Sequence, residues 1–347
     1  MARRRIMKKI FRVTGKTLLV IMGLLFILFI VFYLSTRGNY EVAKTVEQDP
    51  SIPHINIENT IFHAETFGAD TKDVVIVIHG GPGNDYRYLL SLKALADEYF
   101  VVFYDQRGTG LSPRVSANEF TIENMMNDLR NIIDHYAKGR KVKLIGHSWG
   151  AMLASGFIGK YPSMVDKAVL AEPGIFTSEE AGDFMEKMNV KFSIGLLKHM
   201  LTCWFRSLHV KGPDGQAAKD YFFQTFTLEA NIKENPYSAY YCDRDMTTAS
   251  FDYWRFGGLA SSASIRNAMD EDGTLKLNFI DGVKNFPNKV LFIASECNSI
   301  IGEEQQRIHM NYFPNAELIV IKNAGHTMFG EQPEESISAI RRYFNEN

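Results

Sequence analysis

"LIGHSWGAML" occupies Leu144–Leu153, and how it is read decides the fold. A His-Ser pair sits between two glycines, with apolar residues on both sides. The stretch leading into it, "KVKLIGHS" (Lys141–Ser148), has the short apolar run of a buried strand. The stretch after it, "WGAMLASGFIGKYP", reads as a helix that closes before Pro162. Gly-x-Ser-x-Gly at a strand-to-helix junction puts the serine on a sharp, strained turn that presents its hydroxyl for attack. Gly146 and Gly150 lack a Cβ, so strand and helix can approach closely. The helix directs its N-terminal amides toward the site, where they favour developing negative charge. The plainer reading of the same five residues is a serine that N-caps a helix.

Working outward, further buried-strand runs appear as "VVIVIHG" (Val74–Gly80), "FVVFYD" (Phe100–Asp105), "KAVLAEP" (Lys167–Pro173), "KVLFIAS" (Lys289–Ser295) and "AELIVI" (Ala316–Ile321). "INIENTIFHAETFG" (Ile55–Gly68) suggests a hairpin turning near Glu58-Asn59. Between the runs, "TIENMMNDLRNIIDHYAK" (Thr121–Lys138) has its apolar residues at helical spacing, with Thr121 as N-cap. Strands alternating with helices argue an α/β class with a mostly parallel sheet covered on both faces. The alternation stops after Glu172 and resumes near Lys289. The aromatic, mainly helical stretch between reads as an insertion over the sheet. A last helix is expected at Glu334–Phe344.

Two more segments follow strands and carry chemistry. The glycines of "HGGPG" (His79–Gly83) let backbone N–H groups face an oxyanion, and the amides of Gly81 and Trp149 are the expected pair. His79 reads as a structural hydrogen-bonder. In "YDQRGTGLS" (Tyr104–Ser112), Asp105 and Arg107 are expected to organise their loop. "NAGH" (Asn323–His326) lies just past the last strand, where a histidine can reach Ser148 as a general base.

Taken together, the chain resembles the α/β-hydrolase fold and, within it, the prolyl aminopeptidase branch of serine peptidases. "HGGPG", "DQRGTG" and "GHSWG" occur in that order, followed by a cap insertion and then "AGH", over roughly Ile55 to the C-terminus. The resemblance implies Ser148 as nucleophile and His326 as base. It also implies an Asp after the strand at Lys289–Ser295, but that loop reads "ASECNSIIG" and offers Asn298 at the matching position. An Asn can orient a histidine yet cannot neutralise imidazolium. Glu296 stands two residues out of register. Glu172 ends the preceding strand, where some α/β-hydrolases carry their acid, and a carboxylate among apolar residues there needs a partner. Glu172 is therefore the expected acid, with Asn298 in support; a purely structural Glu172 is the other reading. In the aminopeptidase branch, cap acids hold the substrate's free amine, which makes Asp243, Asp245, Asp252 and Glu229 candidates here.

The chain has 347 residues, with 38 bases against 40 acids. Seven of the bases (Arg3, Arg4, Arg5, Lys8, Lys9, Arg12, Lys16) fall in the first 16 residues, leaving the remainder at a net −9. That balance argues against a nucleic-acid partner. Thr17–Thr36 is uncharged and almost wholly apolar, long enough at about 1.5 Å per residue to cross a hydrocarbon core of about 30 Å. An uncleaved signal anchor is expected, with the basic end cytoplasmic and the rest beyond the membrane. A cleaved signal peptide is its rival, although "FYLSTRG" makes a poor cleavage site. The three cysteines, Cys203, Cys242 and Cys297, lack metal-ligand spacing. Buried thiols are expected, with a Cys203–Cys242 disulfide conceivable in an oxidising compartment.

The expected organisation is a basic segment (1–16), a transmembrane anchor (17–36), a linker (37–51), a core in two parts (52–174 and 286–347) and a cap (175–285). The expected activity is a membrane-anchored serine hydrolase of aminopeptidase type acting on small molecules or short peptides, with no metal or organic cofactor. The alternatives are an esterase or other small-molecule hydrolase on the same triad, and an inactive binding protein that has lost the usual acid.

Overall fold

The computed structural model describes residues 2–188, 192–228, 235–248 and 252–346. Helix α1 (Ala2–Ser35) comes first, and its portion Phe11–Ser35 is long and apolar enough to cross a membrane. Strands β1 (His54–Ile57) and β2 (Thr60–Phe67) form the hairpin. Glu58 and Asn59 both take positive φ at its turn, the conformation that matches the twist of a two-residue hairpin. Then follow β3 (Val74–Ile78), β4 (Phe100–Tyr104), α2 (Ile122–Ala137), β5 (Val142–His147), α3 (Trp149–Lys160) and β6 (Val165–Ala171). Helices α4 (Ala181–Lys187), α5 (Ile194–Ser207), α6 (Ala217–Phe223) and α7 (Gly258–Asn267) lie between β6 and β7 (Val290–Ser295). Helix α8 (Glu303–Met310), β8 (Ala316–Ile321), α9 (Met328–Glu331) and α10 (Pro333–Asn345) complete the chain.

The described strands make one eight-stranded sheet in the order β1-β2-β4-β3-β5-β6-β7-β8. Pairs β1–β2 and β2–β4 are antiparallel, and every pair from β4 to β8 is parallel. Each residue of β3, β4, β5 and β7 is buried, because helices cover both faces. Ile76, Leu144, Leu170 and Phe292 pack toward α2 and α3. Val77, Ile145, Val169 and Ile293 pack on the other face with Leu92, Phe329 and Ile340. Thr121 accepts the Asn124 N–H as N-cap of α2.

The parallel strands bring the ends of β3, β5, β6, β7 and β8 to one edge of the sheet, and the β6–β7 segment lies over it. Ion pairs buried within the structure secure that segment. The wholly buried Arg255 guanidinium holds Asp214 and Asp220, Arg114 also holds Asp220, and Arg255 donates to the Ala43 carbonyl. Removing one partner from such a cluster strands a buried charge, so the network fixes where the segment sits. One expectation needs correcting. Cys242 and Cys297, expected as thiols, form a disulfide, and the conceivable Cys203–Cys242 bridge is not formed. Cys203 is buried in α5, with its Sγ 3.5 Å from His199 Nε2. The bridge closes over 55 residues and links the β6–β7 segment to the loop after β7, a contact that sequence spacing does not reveal.

Candidate active site

Ser148 links β5 to α3 with φ 53° and ψ −120°, a backbone conformation that strains any residue with a side chain. A Cβ at Gly146 would collide with the Gly150 carbonyl, and one at Gly150 would collide with the Ile78 carbonyl. The two glycines are therefore a packing requirement of the turn. The Ser148 side chain makes no capping bond to α3, which removes the N-cap reading. Its backbone N–H is taken by the Ala171 carbonyl at 2.8 Å, so the hydroxyl is the group that the turn presents. Trp149 opens α3, where its N–H has no carbonyl one turn earlier to bond. Its indole packs edge-on to Phe279 at 5.7 Å.

His326 lies on the loop after β8, and its backbone N–H donates to the Tyr240 carbonyl at 2.9 Å. Its Nδ1 is 2.6 Å from Glu172 Oε2, leaving Nε2 as the ring nitrogen turned from that carboxylate. Glu172 is wholly buried and takes φ 45° at the end of β6. Its Oε1 accepts from Ser295 N (2.7 Å) and Ser295 Oγ (2.5 Å), and its Oε2 also accepts from Asn298 Nδ2 (2.7 Å). Four donors thus surround one buried carboxylate, which removes the need for water around the charge. The Asn298 side-chain oxygen accepts from Ile300 N and Ile301 N at 3.0 and 3.1 Å, which orients the amide with Nδ2 toward Glu172. Glu296 faces away, with its carboxylate on Lys322 Nζ and Asn323 N.

Sequence reasoning missed a second chain of bonds around the site. Gly80 N–H donates to Tyr88 Oη at 2.8 Å, and Tyr88 Oη lies 2.8 Å from His147 Nδ1. His147 Nε2 lies 2.7 Å from the His326 carbonyl. Burial, reinforced by His326 next to it, pushes the His147 imidazole well below its usual range. A neutral ring has one donor and one acceptor. Tyr88 accepts from Gly80 and donates to Nδ1, so Nε2–H donates to His326. The "HGGPG" loop is in this way tied to the backbone of His326. Asp85, wholly buried, accepts N–H bonds from Arg87, Trp254 and Arg255, joining the same loop to the Tyr253–Phe256 stretch. His79 and Asp105 are structural: Gln106 N donates to His79 Nε2, and Asp105 receives Tyr86 N and Leu111 N. Arg107 grips Asp128 and Glu119.

Gly81, Ser148 and His326 line one cavity of about 160 Å³. Phe223, Leu228, Tyr237, Tyr240, Tyr253 and Phe256 of the β6–β7 segment form much of its remaining wall. No described lining residue is a carboxylic acid. Three of the expected amine-binding acids lie elsewhere. Asp243 is exposed, Asp245 bonds Thr247, and the exposed Asp252 pairs with Arg87. Short loops aim these side chains at solvent or at their own backbone. Glu229 lies outside the described residues. Among the described residues, no three His, Cys, Asp or Glu side chains group as metal ligands.

Residues 73–193 match the model of the alpha/beta hydrolase fold family. A proline iminopeptidase of Saccharolobus solfataricus is 23% identical over 326 residues, 91% of this chain and 97% of that protein. Epoxide hydrolase 1 of Caenorhabditis elegans is 30% identical over 160 residues, and this chain spans only 39% of it. The crystal structure of a proline iminopeptidase from Mycobacterium smegmatis superposes with a TM-score of 0.56 at 18% identity, covering 84% of this chain and 96% of that one. The chain is an α/β-hydrolase-fold protein, and within that fold it resembles the prolyl aminopeptidase branch.

Proposed function

We propose that this chain is a membrane-anchored serine hydrolase acting through an acyl-enzyme on Ser148. The observation that carries the reading is a strained serine sharing its cavity with His326, whose Nδ1 is held by a wholly buried carboxylate. His326 Nε2 takes the Ser148 proton as Oγ attacks the substrate carbonyl. The amides of Gly81 and Trp149 receive the oxyanion. Glu172 stabilises the imidazolium, and Asn298 holds Glu172. The tetrahedral intermediate collapses, and His326 gives its proton to the leaving group. Water, deprotonated by the same nitrogen, then attacks the acyl-Ser148 ester and releases the acid. Glu172 occupies the role that the missing Asp left open, which weighs against an inactive binding protein.

We assign residues 17–36 to a signal anchor, 175–285 to a cap and 52–174 with 286–347 to the catalytic core. The seven bases preceding the apolar segment favour a cytoplasmic N-terminus and an extracytoplasmic core. The Cys242–Cys297 disulfide suits an oxidising compartment.

For substrate, the iminopeptidase relatives support an aminopeptidase that releases proline or another apolar N-terminal residue. A second reading, an ester hydrolase, is favoured by a described cavity wall that is rich in aromatic side chains and carries no acid. Rates on prolyl arylamide, its N-acetylated form and a neutral short-chain ester separate the two. An aminopeptidase loses most of its kcat/KM on acetylation, because the amine's charge and its partners are lost. Equal rates on the free and acetylated arylamides, with the ester faster than both, would leave only the ester hydrolase.

A further inference from the structure

Helix α5 carries a second apolar stripe besides the one it buries. Ile194, Leu197, Leu201, Trp204 and Leu208 recur at steps of three and four, which places them along one side of the helix. Lys198, Thr202 and Arg206 follow one another at steps of four on a neighbouring side. Cys203 and Ser207 are buried toward the protein. Ile194 is 83% exposed, Trp204 42%, and Phe192, just before the helix, 77%. Leu208 is 43% exposed, and Leu197 and Leu201 are half-buried between these residues; exposed apolar side chains grouped in this way mark a contact surface.

The last turns of α1 show what surrounds this face. Phe29 packs on Trp204 and Phe205, with ring centroids 6.3 and 5.3 Å apart, and Phe32 packs on Phe205 at 5.4 Å. The Tyr33 ring packs, tilted, at 4.2 Å on His209, whose Nε2 bonds the Tyr33 carbonyl. Tyr40 bridges Val210. The midpoint of the uncharged segment 17–36 falls between Phe26 and Ile27. Phe29 is then about 4 Å, and Tyr33 about 10 Å, from the midplane of a bilayer whose hydrocarbon extends about 15 Å each way. The contacts run in the same order along both segments, from Phe29 with Trp204 to Tyr40 with Val210. Passing back along α5 from Phe205 toward Ile194 and Phe192 therefore leads away from the outer end of α1.

We infer that the exposed apolar stripe of α5, with Phe192, lies against the lipid of the bilayer that α1 crosses. The cap is a second membrane contact. The occupant is lipid, because the stripe is continuous with a helix that lipid surrounds and touches it at hydrocarbon depth. A basic and apolar amphipathic helix of this kind binds an interface through both parts of its surface. Helix α5 packs on α6, whose Phe223 lines the cavity, so α5 and α6 together separate lipid from the site.

The inference rests on the anchor reading above, and one experiment separates the two. The full chain, in phosphatidylcholine nanodiscs, is photolabelled with a membrane-partitioning aryl diazirine, and the labelled peptides are mapped by mass spectrometry. Label in both α1 and residues 192–208 is the expected result. Label in α1 alone overturns the inference and leaves the anchor standing; cross-links between copies through residues 192–208 in that case assign the face to a second copy. Label in neither, with the protein released from lipid, overturns the anchor as well. In a variant carrying Phe192→Glu and Ile194→Glu, label in residues 192–208 should fall at least about five-fold while label in α1 persists, since charge disfavours contact with hydrocarbon. Unchanged label in that variant contradicts the inference, and unchanged near-ultraviolet circular dichroism shows that the variant has folded.

Discussion

Glu172 Oε2 and His326 Nδ1 stand 2.6 Å apart, although their strands, β6 and β8, are not neighbours in the sheet. The strand between them, β7, supplies Ser295 and the loop after it supplies Asn298, and both donate to the same carboxylate. Glu172 takes φ 45°, a strained conformation for a residue with a side chain, and the bonds from these donors hold it there.

If this carboxylate is the triad acid, Glu172→Gln should lower kcat by about 10²–10⁴-fold with a small change in KM. Asn298→Ala should cost about ten-fold or less, because Ser295 and His326 still hold Glu172. Steady-state kinetics on the best substrate found would check the order. A larger loss from Asn298→Ala would move the acid's role away from Glu172.

Tyr88 is the link between the Gly80 amide and His147. Tyr88→Phe leaves a buried N–H and a buried ring nitrogen without their partner, at a cost of about 1–3 kcal/mol in stability. It should also slow turnover several-fold, because the "HGGPG" loop and the His326 backbone lose their connection. Denaturation and kcat measured on one preparation test this. A stable variant with unchanged kcat would make the relay incidental.

The sheet was legible in the sequence because its strands are buried on both faces and read as unbroken apolar runs. The serine turn was legible because close backbone approach leaves only glycine at positions 146 and 150. That Glu172 and His326 meet could be argued from strand ends, since parallel strands deliver their C-terminal ends to one edge. What escaped depends on contacts between segments far apart in the chain. Tyr88 and His147 lie 59 residues apart, and neither belongs to a spacing pattern that announces a bond. The Cys242–Cys297 pairing depends on how the β6–β7 segment folds back on the loop after β7. That Asp243, Asp245 and Asp252 do not line the cavity escaped for a related reason. An Asp in a polar, aromatic stretch reads the same whether it faces a cavity or, like Asp245, its own backbone.

The disulfide makes a separable prediction. A bridge closing over 55 residues restricts the unfolded chain by about 4 kcal/mol on loop-entropy grounds. Replacing both Cys242 and Cys297 with Ala should lower the unfolding temperature by several degrees. It should also lower activity, since Cys297 adjoins Asn298. Dithiothreitol should do the same to the natural chain and nothing further to the variant. A natural chain indifferent to the reductant would argue against the bridge.

His147 predicts a pH dependence. Its folded value lies below the unfolded value of about 6.5. Below that pH the unfolded chain binds a proton that the folded one refuses, so this group's contribution to stability falls as pH drops. The slope is at most about 1.4 kcal/mol per pH unit, and above pH 6.5 the group contributes none. Denaturation of the natural chain and His147→Gln at pH 5, 6 and 7 in a mild detergent should show a shallower slope for the variant. Parallel slopes would mean that His147 titrates as if exposed.

The central claim is that Ser148 is the nucleophile, and a fluorophosphonate probe tests it most directly. The purified chain should be labelled on one site, mass spectrometry should find the adduct on the peptide containing Ser148, and Ser148→Ala should abolish it. A natural chain that resists the probe under conditions where it is folded, or a Ser148→Ala chain that still takes the label, would contradict the account.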